Sequence, residues 1–108
     1  MTIHITQIAL DEEGYLLDLT EWTPDLAEQL ASKASLELTG QHWEIIYLLR
    51  DFYQQFEVSP TMRPLMKAVT KELGSEKGRS IYLMKLFPGS SPKLAAKIAG
   101  LPKPANCL

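Results

Sequence analysis

The residue best suited to chemistry is Cys107, the single cysteine of the chain and its penultimate residue. Thiolate is the reactive form of cysteine, and the thiol of a free cysteine has a pKa of about 8.5. The C-terminal carboxylate lies one residue away and disfavours the thiolate, and no histidine adjoins Cys107 in the sequence to stabilise it. These surroundings favour a carrier whose partner proteins supply the activating groups over a catalyst that works alone.

The residues before Cys107 predict an extended arm. Two prolines cannot continue a helix and favour a polyproline-like path, so residues 101–107 could span roughly 20 Å at about 3.1 Å per residue. We predict a single domain over residues 1–100 and a C-terminal arm over residues 101–108. An incidental cysteine in a loose tail is the alternative, because chain termini are often poorly ordered. The residues expected to direct the arm are Gly100, Leu101, Pro102, Lys103 and Pro104.

The cysteine count also bounds the cofactors and the compartment. One cysteine cannot form an internal disulfide, and a free thiol without a visible signal peptide indicates a reducing cytoplasm. With only His4 and His42 in addition, the chain has too few ligands for a zinc or iron–sulfur site. We therefore expect a cytoplasmic protein that has no cofactor and no segment in a membrane.

Charge is distributed unevenly along the 108 residues, although the net charge is only −2. Residues 1–57 hold 2 basic and 11 acidic side chains, whereas residues 58–108 hold 9 basic and 2 acidic ones. Packing of the two halves against each other would partly compensate these charges. The alternative is a basic face for an acidic partner or RNA, with Lys93, Lys97 and Lys103 as the docking residues.

The hydrophobic pattern predicts an α+β fold, in which a small N-terminal β-hairpin or meander packs against about five helices. Residues 3–19 alternate as strands do, and Asp11-Glu12-Glu13-Gly14 is typical of a turn. Capping residues, prolines and glycines predict helices that begin near Pro24, Gly40, Ser59, Ser75 and Ser91. The helix over residues 40–56 should be central, with its aromatic side chains mostly in the core, and Ile81 should point inward.

Six motifs together resemble the DsrC/TusE family over nearly the whole chain, and the terminal motif is the most specific of them. They are Asp11-Glu12-Glu13-Gly14-Tyr15-Leu16, Trp22-Thr23-Pro24, His42-Trp43-Glu44, Leu49-Arg50-Asp51-Phe52-Tyr53, Leu86-Phe87-Pro88-Gly89 and Lys97-Ile98-Ala99-Gly100-Leu101-Pro102-Lys103-Pro104, with Cys107 penultimate. The resemblance implies an α+β fold and identifies Cys107 as the sulfur-accepting cysteine.

The resemblance also implies a particular branch of the family. DsrC-like members carry a second arm cysteine eleven residues before the last one, and this chain has Ala96 there. The departure favours the TusE-like branch, whose members are sulfurtransferases with a single arm cysteine. They take persulfide sulfur from a TusBCD-like complex and pass it to a tRNA thiouridylase that holds its tRNA. The end product is 2-thiouridine at the tRNA wobble position.

Two other functions are alternatives to this sulfur relay. The first is a DsrC-like partner of dissimilatory sulfite reductase, against which Ala96 argues. The second is a non-enzymatic nucleic-acid-binding regulatory module that uses the helices and the basic half of the chain. No predicted helix has the dense row of Arg with Asn or Gln that reads base edges, so direct contact with nucleic acid stays open.

Overall fold

Five α-helices form the part of the chain that the structure, a computed structural model, describes, namely residues 4–105. In chain order they are α1 (Pro24–Lys33), α2 (Gly40–Phe56), α3 (Met62–Leu73), α4 (Ser80–Leu86) and α5 (Ser91–Ile98). Helix α5 packs against each of the other four, so it holds the array together. None of the helices within residues 4–105 has both the length and the apolar character needed to cross a bilayer.

The predicted N-terminal hairpin or meander is wrong. The described N-terminal segment, residues 4–22, contains short 3-10 helices at Ile5–Gln7 and Leu19–Glu21, and its β pairing is a single antiparallel bridge between Leu10 and Leu16. An isolated two-stranded hairpin is marginally stable in water, so the segment gains more by burying its apolar side chains directly against helices. The fold of the described residues is therefore α-helical and not α+β. The buried side chains of this segment are Ile5, Ile8, Tyr15 and Leu16.

The turn predicted within this segment is present. The Gly14 N–H donates to the Asp11 carbonyl at 3.0 Å, and Gly14 has a φ of +94°. The Asp11 carboxylate accepts from the N–H groups of Glu13 and Tyr15, each at 2.9 Å. Side-chain acceptors of this kind stabilise turns locally, without a sheet on either side.

The helix boundaries follow the predicted capping residues in part. Helix α2 has the predicted bounds, and Thr23 caps α1 by accepting from the Leu26 N–H at 3.0 Å. Helix α3 begins at Met62, three residues after the predicted Ser59, whose hydroxyl is instead bonded to the Pro102 carbonyl. A turn at Gly74–Gly78 delays α4 to Ser80.

Helix α2, predicted to be central, packs against α3 and α5, and the prediction that its aromatic side chains lie mostly in the core is wrong. Ile45, Ile46 and Leu49 are fully buried and fill its inner face, whereas Tyr47 is 47% exposed and Phe56 is 58% exposed. The other aromatic side chains of α2, Trp43, Phe52 and Tyr53, are partly buried, and Trp43 and Tyr53 pack against the edge of the core. The prediction that Ile81 points inward is also wrong, because it is 61% exposed.

Candidate functional site at the base of the C-terminal arm

Cys107 lies outside the described residues, so the structure defines the site through the chain that leads to it. We call residues 98–104 the arm base. It joins the last residue of α5 to the buried Pro104, and Cys107 follows Pro104 by three positions in the sequence. What the structure shows of the site is therefore how the arm base is held.

The arm base begins with a Schellman turn at the end of α5. The Leu101 N–H donates to the Ala96 carbonyl at 2.9 Å, and the Gly100 N–H donates to the Lys97 carbonyl at 3.1 Å. Gly100 has a φ of +73°, which glycine adopts without the strain that a side chain would add. This turn ends the helix and sets the direction in which the chain leaves it.

Two side chains from distant parts of the chain bind the carbonyl groups at the end of α5. The Trp22 indole N–H donates to the Ile98 carbonyl at 2.9 Å, and Arg50 Nη1 donates to the Ala99 carbonyl at 2.7 Å. The last carbonyl groups of a helix lack partners within it and carry its partial negative charge, which suits a cation. Burial lowers the pKa of Arg50 from its usual value, but a guanidinium is protonated in proteins at neutral pH.

The same two side chains also pack on each other. The Arg50 Cζ atom lies 3.9 Å from the centroid of the Trp22 ring, which is cation–π geometry. A Cβ atom added at Gly100 would lie only 2.2 Å from Cδ1 of Trp22. The ring thus covers bare backbone at Gly100, and the arm base fits against it only because that residue has no side chain.

Further along, the arm base is bonded to the loop that precedes α3. The Ser59 hydroxyl donates to the Pro102 carbonyl at 2.5 Å, and both Leu101 and Pro104 are buried. Residues 101–104, predicted as the first half of the arm, therefore pack on the helices. The roles predicted for Gly100, Leu101, Pro102, Lys103 and Pro104 in directing the arm stay predictions, although these residues now have defined positions.

The three lysines predicted to dock a partner lie near the Asp11–Gly14 turn or against it. Lys103 Nζ is 3.0 Å from Glu13 Oε2, and Lys97 Nζ lies 5.1 Å from the centroid of the Tyr15 ring. The Lys93 carbonyl accepts from the Tyr15 hydroxyl at 3.3 Å. An exposed ion pair such as Lys103–Glu13 contributes little to stability, so a partner could replace Glu13 at low cost. Docking by these residues stays a prediction.

Ion pairs join the acidic first half of the chain, residues 1–57, to the basic second half, residues 58–108. Lys103 pairs with Glu13, and Lys77 Nζ lies 2.8 Å from Glu44 Oε1, so each pair joins a basic residue of the second half to an acidic residue of the first. The hydrogen bond from Lys77 to Glu44 raises the pKa of Lys77. Partial compensation between the halves, one of the two interpretations of the charge pattern, therefore occurs.

Metal-ligating side chains do not cluster within residues 4–105, where no group of three or more His, Cys, Asp or Glu could hold an ion. His42 is buried, and its Nδ1 accepts from the Thr39 N–H at 3.0 Å. Its Nε2 therefore carries the proton and donates to the Leu86 carbonyl at 2.7 Å. Both ring nitrogens are occupied, so His42 is a structural residue that joins α2 to the end of α4.

Sequence reasoning did not single out Trp22, Arg50 or Ser59 as residues of the site. Trp22 and Arg50 stand inside motifs of the family resemblance, which was the available signal, and Ser59 was interpreted only as the start of a helix. Their partners lie 76, 49 and 43 residues away in the chain. Contacts at such separations leave no periodic pattern in one sequence.

Comparisons with known proteins agree with this architecture. The chain matches the family model described as "DsrC like protein" over residues 2–108. It resembles the solution structure of Allochromatium vinosum DsrC with a TM-score of 0.87 and 48% identity, covering 99% of this chain and 97% of that one. It also resembles the crystal structure of the oxidized γ-subunit of dissimilatory sulfite reductase (DsrC) from Archaeoglobus fulgidus, with a TM-score of 0.80, 41% identity and coverages of 94% and 92%.

Curated relatives carry the name of a sulfurtransferase. The chain is 48% identical to the "Sulfurtransferase TusE homolog" of Haemophilus influenzae over 108 residues, which is 100% of this chain and 99% of that protein. It is 50% identical to the "Sulfurtransferase TusE" of Pectobacterium atrosepticum over 101 residues, covering 94% and 93%. The names confirm the predicted class of activity, a sulfurtransferase of a sulfur relay. The matches extend over essentially the full length of the chain, which belongs to the family of DsrC-like proteins.

Proposed function

We propose that this chain is a persulfide carrier in which Cys107 alone accepts and passes on sulfur. The observation that carries the proposal is the placement of the only cysteine, three residues beyond a buried Pro104 on an anchored arm base. A thiol that serves packing is usually buried within the fold, whereas one placed beyond an anchored segment is suited to entering another protein's site.

The proposed chemistry needs no cofactor. The Cys107 thiolate attacks the outer sulfur of a cysteine persulfide on the donor, the S–S bond of the donor breaks, and the donor cysteine leaves as a thiolate. Cys107 then carries a persulfide, and a thiolate of the acceptor attacks its outer sulfur in the same way. Each step conserves atoms and electrons, as thiol–disulfide exchange does, so the transfer requires neither oxidant nor reductant.

The proposed partners are a TusBCD-like complex as the donor and a tRNA thiouridylase with its tRNA as the acceptor. The relay would end in 2-thiouridine at the wobble position of the tRNA. Support comes from relatives named sulfurtransferase TusE and from the single arm cysteine. We place the relay in the cytoplasm, where the thiol stays reduced between transfers.

The test is intact-protein mass spectrometry after incubation with the persulfide form of the donor complex. We expect one added sulfur atom, located on Cys107 by peptide mapping and removed by a reducing agent. The matched control is Cys107→Ser, which keeps the size and shape of the side chain and should gain no sulfur while its circular dichroism stays unchanged. Sulfur acceptance by Cys107→Ser would overturn the proposal.

A second candidate, a DsrC-like partner of dissimilatory sulfite reductase, is favoured by the solved structures that this chain resembles. Ala96 argues against it, because this position lacks the second thiol and is fully buried under the arm base. Its carbonyl also holds the Leu101 N–H. Stable, stoichiometric binding to such a reductase would favour this candidate, and sulfur transfer without that binding would favour the relay.

A further inference from the structure

We infer that Trp22, Arg50 and Ser59 are positioning residues for sulfur transfer, because they fix the point from which Cys107 reaches a partner. This inference rests on the proposed function. We call these three the anchoring residues. They belong to three different parts of the molecule, namely the segment before α1, helix α2 and the loop before α3.

The anchoring residues act on backbone and not on the side chains of the arm base. Their donors reach the carbonyl groups of Ile98, Ala99 and Pro102. Three donors from separate elements oppose both rotation and translation of the short segment between those carbonyls. A backbone held in this way has one direction of exit, independent of which side chains follow it.

Packing around Gly100 adds a steric restraint to these bonds. The Trp22 ring lies against the bare Cα of Gly100, and Arg50 lies over the same ring. Leu101, the next residue, is 2% exposed and belongs to the hydrophobic core. To leave its place, the arm base must therefore break its contacts with the Trp22 ring and the Arg50 guanidinium, and Leu101 must leave the core.

Anchoring at Pro104 shortens the tether on which Cys107 moves. Cys107 follows Pro104 by three positions, so their Cα atoms can be at most about 11 Å apart at ~3.6 Å per residue. An arm that was free from residue 101 would reach roughly 20 Å at ~3.1 Å per residue. The shorter tether confines the thiol to a small volume and raises its effective concentration at a partner docked beside the arm base.

The test compares transfer between proteins with the intrinsic reactivity of the thiol. Arg50→Met removes a donor and a charge, Arg50→Lys keeps a cation that can face the Ala99 carbonyl, and Ser59→Ala removes only the hydroxyl. Arg63→Met, at an exposed arginine on α3, is the matched control. For each variant we would measure sulfur transfer from the persulfide form of the donor complex and alkylation of Cys107 by iodoacetamide.

We expect Arg50→Met to lower the second-order rate constant of protein-to-protein transfer about tenfold, since misplacement by about 1 Å commonly costs more than this. Arg50→Lys should recover part of the loss, Ser59→Ala should show a smaller loss, and Arg63→Met should show none. Alkylation by iodoacetamide should stay within about twofold of wild type in every variant, because none of the substitutions changes the sequence neighbours of Cys107.

The mobility of the arm can be measured with a nitroxide spin label. Because Cys107 is the only cysteine of the chain, the label attaches there and nowhere else. We expect Arg50→Met and Ser59→Ala to increase the mobility of the label in the electron paramagnetic resonance spectrum. Unchanged transfer in both variants would overturn the inference, as would unchanged label mobility or an equal loss of alkylation and transfer. Should Arg50→Met fail to fold, Ser59→Ala and Arg50→Lys decide the outcome.

Failure of the inference differs from failure of the proposed function. If the wild-type chain accepts sulfur and the variants match it, the anchoring residues have only a structural role and the relay stands. If the wild-type chain accepts no sulfur from the donor complex, the proposed function fails, and the role in positioning fails with it.

Discussion

The N-terminal segment, residues 4–22, and the arm base, residues 98–104, both lie outside the long helices for most of their length, yet they are held in different ways. In the Asp11–Gly14 turn, the Asp11 carboxylate binds N–H groups only two and four residues away. In the arm base, donors lie 43 to 76 residues from their acceptors. The turn can form from its own residues. The arm base also begins with a local turn, at Gly100, but the chain around and beyond that turn is held by donors that only the folded chain brings near.

Gly14 and Gly100 make this comparison testable with one pair of substitutions. Both have positive φ, but a Cβ at Gly14 would lie 3.6 Å from Lys97 Cδ, an ordinary contact, whereas at Gly100 it would lie 2.2 Å from Trp22 Cδ1. Gly14→Ala should therefore lower the free energy of unfolding by about 1–2 kcal/mol of backbone strain. Gly100→Ala should cost a similar backbone strain and lower the free energy of unfolding by about 1–3 kcal/mol more, because the new methyl group overlaps Trp22.

Urea denaturation of the two variants measures this difference. Equal losses would mean that the Trp22 ring moves aside without cost, and the arm base would then be no more constrained than the turn. The circular dichroism spectrum before denaturation is the control, since each variant must start from a folded chain.

A substitution at Asp11 tests the local half of the comparison. Asp11→Ala removes the acceptor for the Glu13 and Tyr15 N–H groups, and we expect a loss of about 1 kcal/mol in the free energy of unfolding. Asp11→Asn keeps an oxygen at this position and should lose less. Amide hydrogen exchange should accelerate in the turn but not at Leu101. Faster exchange at Leu101 would show that the two regions are coupled more closely than their hydrogen bonds indicate.

The contrast also explains what the sequence could predict. Helix α2, the Asp11–Gly14 turn and the end of α5 at Gly100 follow from capping residues, glycines and periodicity, all of which act within a few residues. The predicted strands failed because alternation of Ile3, Ile5, Ile8 and Leu10 is also compatible with short turns packed on helices. The exposure of Phe56 and Ile81 depends on which face α5 covers, and that is a tertiary property.

For the site, the sequence supplied Cys107 and the proline-containing arm, while the resemblance supplied sulfur chemistry. It did not supply the role of Ser59, which lies two residues before Thr61, the N-cap of α3, and donates its hydroxyl to the Pro102 carbonyl. It also gave no sign that Arg50, on a helix with many exposed polar residues, reaches across to Ala99. These are bonds between elements whose relative placement only the packed structure defines.

Asp18, within the N-terminal segment, gives the stability of the folded protein a pH dependence. Its carboxylate accepts from the Thr20 hydroxyl at 2.6 Å and from the Thr20 N–H at 3.0 Å, which lowers the pKa of Asp18 in the folded protein. The stabilisation is present above the unfolded pKa, near 3.8, and is lost as the pH falls through the lower folded pKa.

Asp18→Asn keeps a hydrogen-bond acceptor but cannot be protonated in this pH range. Between about pH 5 and about pH 3, the Tm of the variant should therefore fall less than the Tm of wild type. Thermal unfolding followed by circular dichroism measures the difference. A parallel decline of both proteins would exclude Asp18 as a source of the pH dependence.

The smallest expected effect concerns the ion pair that joins the two regions directly. Lys103 Nζ lies 3.0 Å from Glu13 Oε2, with both side chains partly exposed. Lys103→Gln should lower the free energy of unfolding by about 0.5 kcal/mol or less, and 1 M salt should remove the difference. A double-mutant cycle with Glu13→Gln isolates the pair. A larger coupling would show that this ion pair, in addition to Trp22, fixes the arm base to the N-terminal segment.

Trp22 gives the molecule an optical signal at the place where the arm begins. It is one of two tryptophans, and the other, Trp43, is stacked on Tyr47 with a centroid separation of 5.9 Å. In a Trp43→Phe chain the emission would come from Trp22 alone, whose ring has the Arg50 cation 3.9 Å away and whose N–H is bonded to Ile98. Any partner that displaces the arm base must alter those contacts, so stopped-flow fluorescence would time the event without a dye.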